Sequence, residues 1–410
     1  LIGSATMVKL SVVQLDLGGR RVFLRADFNV PLTVDEITDD TRIRAVIPTV
    51  EHCLQSGAAV VLASHLGRPE GRRDSRYSMK PVLFRLEELL GRAIPLAPDC
   101  VGPLCEKLAK SLEPGHCLLL ENLRFHKEEE ANDPAFARAL ARLASCYVND
   151  AFSVCHRAHA SVSAITRFLQ PAAAGLLMQR ELLALAQVLE HPKHPVALVL
   201  GGARVSDKLG LIRNLLSRVD RLLIGGAMAF TFLKALGGET GRSPVEDDLV
   251  GTAKQILAEA ARRKVELLLP DDVVVATYPE DRARIRQCAA DRIPIAMTGL
   301  DIGPATVTRF REALRDAATV FWNGPVGMFE HPPFATGTME LAKIIAAHPG
   351  LTVAAGIDTA AAVRQAGVAD RIGYLSTAGT AFLQALEGRE LPGVAALTVA
   401  GPAKQGRTTA

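Results

Sequence analysis

Charge of one sign is scarce in this sequence. Its 47 Lys and Arg against 44 Asp and Glu leave a formal net charge of +3 over 410 residues. That argues against bulk nucleic-acid binding, which needs a concentrated basic face, while leaving room for a local cationic pocket. Long apolar runs are missing too. No uninterrupted stretch approaches the roughly 20 residues of a membrane span. Residues 1–6 lack the basic region and long apolar core of a signal peptide, and Met7 is the expected start. The seven cysteines (Cys53, Cys100, Cys105, Cys117, Cys146, Cys155 and Cys288) show no C-x-x-C spacing. Neither a zinc site nor a thioredoxin motif is indicated. Several sit beside apolar runs and read as reduced core residues, which favours a cytoplasmic location. No internal repeat or low-complexity tract stands out.

What is present is ordinary globular composition, 49% hydrophobic and 22% charged. At about 150 residues per domain, two or three domains are expected. Short apolar runs alternate with longer helical patterns. The runs cover 22–24, 58–63, 117–120 and 147–148, then 196–200, 221–224, 273–276, 319–322 and 351–355. Helical patterns include 134–144 and 250–263. This rhythm predicts an α/β protein with parallel sheets covered by helices, and too many strands for one sheet. The expectation is two doubly wound, Rossmann-like domains facing a central cleft. The first spans 7–175, a connecting helix spans 176–190, and the second domain spans 191–390. Residues 403–410 are small and polar, and are expected to fray.

In such folds ligands bind beyond the carboxyl ends of strands, so the residues after each run matter most. In the first half they are polar every time. Arg25-Ala26-Asp27-Phe28-Asn29 follow the first run and Ser64-His65-Leu66-Gly67-Arg68 the second. Glu121-Asn122-Leu123-Arg124 follow the third. Asn149-Asp150 follow the fourth, with His156-Arg157 close behind. A single Arg there reads as a solvated cation. Four recurrences on one rim point to an anion bearing phosphate and carboxylate, which guanidinium forks match bidentately. In the second half the runs end in Gly201-Gly202, Gly225-Gly226, Gly324 and Gly356. Glycine lets backbone N–H groups approach phosphate. Lys208 either neutralises phosphate charge or is a solvated lysine. Asp358 reads as a helix N-cap or a metal ligand, and the residue pattern alone favours the cap. No P-loop is present, and no G-x-G-x-x-G follows the first strand.

The motifs are long enough to be recognisable. RADFNVPL at 25–32, SHLGRP at 64–69, LLLENLRFHKEEE at 118–130 and YVNDAFSVCHRAHAS at 147–161 resemble the phosphoglycerate kinase family. So do GGARVSDK at 201–208, IGGAMAFTFLKALG at 224–237, GLDIGP at 299–304, WNGPVGMFE at 322–330 and LEGRELPGV at 386–394. The resemblance implies a glycolytic transferase. It moves a phosphoryl group reversibly from 1,3-bisphosphoglycerate to ADP, giving 3-phosphoglycerate and ATP with Mg2+. By motif match, Asp27, Asn29, Arg42, His65, Arg68, Arg124, His156 and Arg157 are implied to hold the glycerate ligand. Gly201, Arg204, Lys208, Gly225, Gly226, Gly299, Glu330, Gly356, Asp358 and Thr359 are implied on the nucleotide side. Of these, Glu330 lies near the ribose, Asp358 reaches the metal and Thr359 the phosphates. Arg42, Lys208, Gly356 and Gly379 are the expected catalytic groups. A tail, 391–403, is implied to pack back on the first domain, and a monomer is expected.

Some positions depart from the family pattern. Arg204 stands in place of lysine, Ser153 in place of glycine and Tyr374 in place of histidine. Ile357, Ala378 and Thr380 stand in normally Gly-rich stretches. A β-branched residue tolerates positive φ poorly, so Ile357 is expected to strain the backbone or cost an N–H donor. These departures predict a weakened nucleotide side and reduced activity. The alternative function is a paralogue that binds phosphoglycerate or a protein partner.

Overall fold

The computed structural model describes residues 8–33, 36–280 and 284–400. The expected start at Met7 and the expected fraying of 403–410 lie outside these. Two compact units emerge. One comprises the described residues up to Leu183 together with those from Glu390, and the other runs from Ala184 to Arg389. The division falls inside the helix Leu176–Leu189.

The first unit is built on a five-stranded parallel sheet. Its strands are β1 (Arg21–Arg25), β2 (Ala59–Ala63), β3 (Cys117–Leu119), β4 (Cys146–Asn149) and β5 (Ala172–Ala174). Their spatial order is β3-β2-β1-β4-β5. β2 to β5 are buried at every residue, as expected of parallel strands covered on both faces. Alternate residues point to opposite sides. Val22, Leu24, Val60 and Leu62 therefore share one core with Ile43, Val46 and Val50 of the helix Thr41–Gln55 and Val82 and Leu86 of the helix Lys80–Leu90. Asp150, just past β4, is fully buried and accepts from Met178 N at 3.0 Å, tying the sheet to the start of the helix Leu176–Leu189. The tail returns to this unit. Thr398 N donates to Ala172 O at 2.9 Å and Leu10 N to Thr398 O at 2.8 Å, while Val394 and Leu397 are buried.

The second unit has a six-stranded sheet: β6 (Val196–Leu200), β7 (Arg221–Ile224), β8 (Glu266–Leu268), β12 (Thr319–Asn323), β13 (Leu351–Ala354) and β14 (Tyr374–Leu375). Spatially it reads β8-β7-β6-β12-β13-β14, the doubly wound order of dinucleotide-binding folds. Three strands in between make a separate antiparallel sheet: β9 (Asp272–Ala276), β10 (Arg286–Ala289) and β11 (Thr298–Ile302). The run at 273–276 was expected in a parallel sheet and is not. Only residues 269–271 separate it from β8, and a parallel return needs a crossover of about a dozen residues or more.

Candidate active site

Each parallel sheet has one switch point, where the connections part to opposite edges. In the first unit it lies between β1 and β4, where Arg25 pairs with Asn149. Asp27 sits just beyond, nearly buried. Its carboxylate lies 3.1 Å from Arg42 Nη1 and accepts from Asn29 N at 3.1 Å and from Ser153 Oγ. Ser153, a departure from the family pattern, thus serves to hold Asp27. Arg42 also donates to Asn29 O at 2.9 Å. Asn29 Oδ1 accepts from Gly67 N at 2.8 Å, and Gly67 O accepts from Arg124 Nη1 at 2.9 Å. One hydrogen-bonded chain therefore joins Asp27, Asn29, Arg42 and Arg124 across three strand ends.

His65 meets Arg25 instead, whose Nη2 lies 3.3 Å from His65 Nδ1. A guanidinium only donates, so Nδ1 accepts and the ring is neutral with its proton on Nε2. Burial and then Arg25 and Arg124 hold its pKa well below the usual value. The 3.9 Å approach of His65 to Asp27 is therefore not an ion pair. Arg157 Nε donates to His156 Nε2 at 3.1 Å, and burial followed by Arg157 lowers the His156 pKa. Arg68 is exposed. Arg124 is buried, and its pKa is lowered by desolvation and by the like charges of Arg25 and Arg157, which Glu130 offsets in part. An anionic ligand would relieve that repulsion. Asn149 and Asp150, read from sequence as part of the rim, are instead fully buried.

The motif reading did not assign the support beneath this rim. Arg25 is 1% exposed and donates from Nε to Ser161 Oγ at 2.8 Å. Ser161 Oγ donates to Glu129 Oε1 at 2.5 Å and its N–H to Oε2 at 2.9 Å. His159, beside Glu129, is pushed down to about 3 by burial and the surrounding arginines, so it is neutral. Both motifs carrying these residues were visible, but burial of their charges was not.

In the second unit the switch point lies between β6 and β12, and Gly201 N bonds Asn323 O across it at 2.9 Å. A Cβ on Gly201 would lie 2.1 Å from Pro325 O, so only glycine fits. Lys208 donates from Nζ to Asn323 Oδ1, and Asn323 Nδ2 donates to Ala355 O at 2.6 Å. Burial lowers the Lys208 pKa. Thr359 is buried, and its Oγ1 accepts from Gly324 N at 2.8 Å, so it also braces the loop after β12. Arg204 is exposed and pairs with Asp207 at 3.1 Å rather than with this cluster. Gly225 is buried against Val326.

Beside the cradle is a pocket of about 400 Å³. Gly202, Gly226, Phe230, Gly299, Leu300 and Val326 give it apolar walls, and Glu330 and Asp358 stand among its lining. Its size and character suit a nucleoside base and sugar. Asp301 also lines it, nearly buried, and desolvation raises its pKa to about 7.

Two corrections concern residues 356–358. The positive φ, +107°, belongs to Gly356, which is the N-cap of the helix Ile357–Gln365. Ile357 is the first helical residue, 72% exposed and without positive φ, so neither the expected strain nor a lost donor arises there. Its N–H is among the unpaired donors of a helix start. Asp358 is therefore in the first turn and is not the cap. Gly379 caps the helix Thr380–Leu386 in the same way, and a Cβ there would lie 3.7 Å from Ile357 Cγ1, so the two helix starts are neighbours.

A cationic rim on one doubly wound sheet, and a glycine cradle beside an apolar pocket on another, are parts that a phosphotransferase needs. The family model described as phosphoglycerate kinase matches residues 12–389, and the chain belongs to this family. The chain is 51% identical over 394 residues to a phosphoglycerate kinase of Anaeromyxobacter dehalogenans, covering 95% of this chain and 99% of the relative. It is also 51% identical over 392 residues to that of Moorella thermoacetica, covering 96% and 100%. The solved structure of phosphoglycerate kinase from Coxiella burnetii superposes with a TM-score of 0.88 at 38% identity, covering 95% of this chain and 98% of the other. That from Pyrococcus horikoshii gives 0.81 at 32% identity, with the same coverage.

Proposed function

We propose that the first unit holds 3-phosphoglycerate or 1,3-bisphosphoglycerate, the second holds ADP or ATP, and the chain moves the phosphoryl group between them. The supporting observation is that each unit gathers its polar or glycine-rich groups at its own switch point. On the rim, Arg68, Arg124, His156 and Arg157 take the oxygens of the acid, while Asp27 and Asn29 fix Arg42. On the cradle, Gly201, Gly226 and Gly299 admit the nucleotide, and Glu330 accepts from the ribose.

In the forward direction the acyl-phosphate bond breaks as a β-phosphate oxygen of ADP bonds the same phosphorus. The carboxylate leaves with the electron pair. Such transfer needs in-line placement and charge neutralisation more than covalent help. Arg42 and Lys208 neutralise the equatorial oxygens, and the N–H groups opening the helices after Gly356 and Gly379 add donors. Asp358, one of two exposed carboxylates in the pocket lining, fits Mg2+, which takes one or two carboxylates alongside substrate phosphates. Asp358 would hold the ion, which supplies charge neutralisation on the phosphates. Because each ligand has its own unit, transfer requires the two to be brought together and water excluded.

The proposal extends to a cytoplasmic monomer. Free thiols at all seven cysteines suit a reducing compartment, and one chain carries both sites. No described helix is long and apolar enough to cross a membrane. The test is turnover of ATP with 3-phosphoglycerate in a coupled assay. Saturable turnover in both substrates is expected. Binding of both ligands without turnover overturns the proposal in favour of a binding paralogue.

A further inference from the structure

Two residues beyond Arg124, at His126, the turn after β3 meets the loop before the helix Pro103–Lys110. Here Asp99, Cys100 and His126 each offer one ligand atom, and these atoms lie within 4.8 Å of one another. His126 Nε2 is 2.7 Å from Asp99 Oδ1. The Cys100 side chain is buried, whereas Asp99 and His126 are partly open to solvent. We propose that these three side chains form a binding site for a zinc-type divalent cation, with solvent completing the coordination.

The donor chemistry selects the ion. One thiolate sulfur, one imidazole nitrogen and one carboxylate oxygen are ligands that Zn2+ accepts, while Mg2+ and Ca2+ prefer oxygen alone. The backbone on both sides is held by hydrogen bonds. Asp99 O accepts from Cys105 Sγ at 3.2 Å and from Glu121 N at 3.4 Å. His126 N donates to Leu123 O at 3.2 Å, and its ring packs 5.1 Å from that of Phe136. On binding, the Cys100 thiol gives its proton to solvent, and His126 frees Nε2 by keeping its proton on Nδ1. Spacing along the sequence gave no sign of this site, because its ligands come from two loops. The ion would fasten the loop to the turn that carries Arg124.

Cobalt titration of the full chain, after EDTA treatment and dialysis, tests the site. Co2+ should bind at about one equivalent with a sulfur-to-cobalt charge-transfer band. Zn2+ should displace it, and excess Mg2+ should not. Cys100→Ser should remove the band, and His126→Asn should weaken Co2+ at least about tenfold. The absence of a band, or a band that survives Cys100→Ser, overturns the proposal. Should Cys100→Ser fail to fold, unchanged Co2+ affinity in His126→Asn overturns it equally.

Discussion

Asn323→Ala separates positioning of Lys208, the lysine proposed to act in transfer, from binding of the acid. Asn323 is 2% exposed, accepts from Lys208 Nζ and donates to Ala355 O at 2.6 Å. Truncation releases the ammonium from a charge-assisted bond of about 1.5–3 kcal/mol. If the proposal for Lys208 is right, most of that appears in the transition state, a fall of about one to two decades in kcat. Removal also leaves the Ala355 carbonyl unpaired, at a cost of about 1–3 kcal/mol in stability. The assay is steady-state kinetics with both substrates varied, together with a urea titration of the same protein. A lower kcat, an earlier unfolding midpoint and an unchanged KM for 3-phosphoglycerate are expected. A folded variant with wild-type kcat, or one whose defect lies wholly in the KM for 3-phosphoglycerate, refutes the reasoning.

Ile357→Gly should not raise turnover, because Ile357 is helical, and it should lower stability by up to about 1 kcal/mol through helix propensity; kinetics and thermal unfolding check both. Asp301→Asn should change the pH dependence of stability. The folded-state pKa of about 7 is above the unfolded value, so the unfolded chain binds fewer protons between them. Wild-type stability relative to the variant should therefore fall as pH rises from about 4 to about 7, by at most about 4 kcal/mol, and a flat difference in urea titrations contradicts this. Small-angle scattering should give a smaller radius of gyration with both substrates than with either alone. An unchanged radius argues against ligand-driven closure.

Much of the fold was legible because parallel strands buried on both faces write themselves as apolar runs, as at 59–63 and 196–200. The polar groups at the strand ends were legible through their repetition after successive runs. What escaped was set by tertiary context. Charged residues default to the surface, so nothing local marked Arg25 and Glu129 as a buried pair joined through Ser161. Asp150 reads like its rim neighbours, yet faces inward to a helix start. Ile357 was misjudged by one position. The motif places glycine character near 356–358, but which residue takes the positive φ depends on where the helix begins.

The most direct test of the division of labour is a crossed titration of Arg68→Ala and Lys208→Ala with 3-phosphoglycerate and with MgATP. Arg68→Ala should weaken 3-phosphoglycerate by about one to two decades, the worth of a charge-assisted contact, and leave nucleotide affinity unchanged. Lys208→Ala should weaken the nucleotide and leave 3-phosphoglycerate unchanged. Losses that fall on the opposite ligand, or on both ligands in either folded variant, would contradict the assignment of one ligand to each unit.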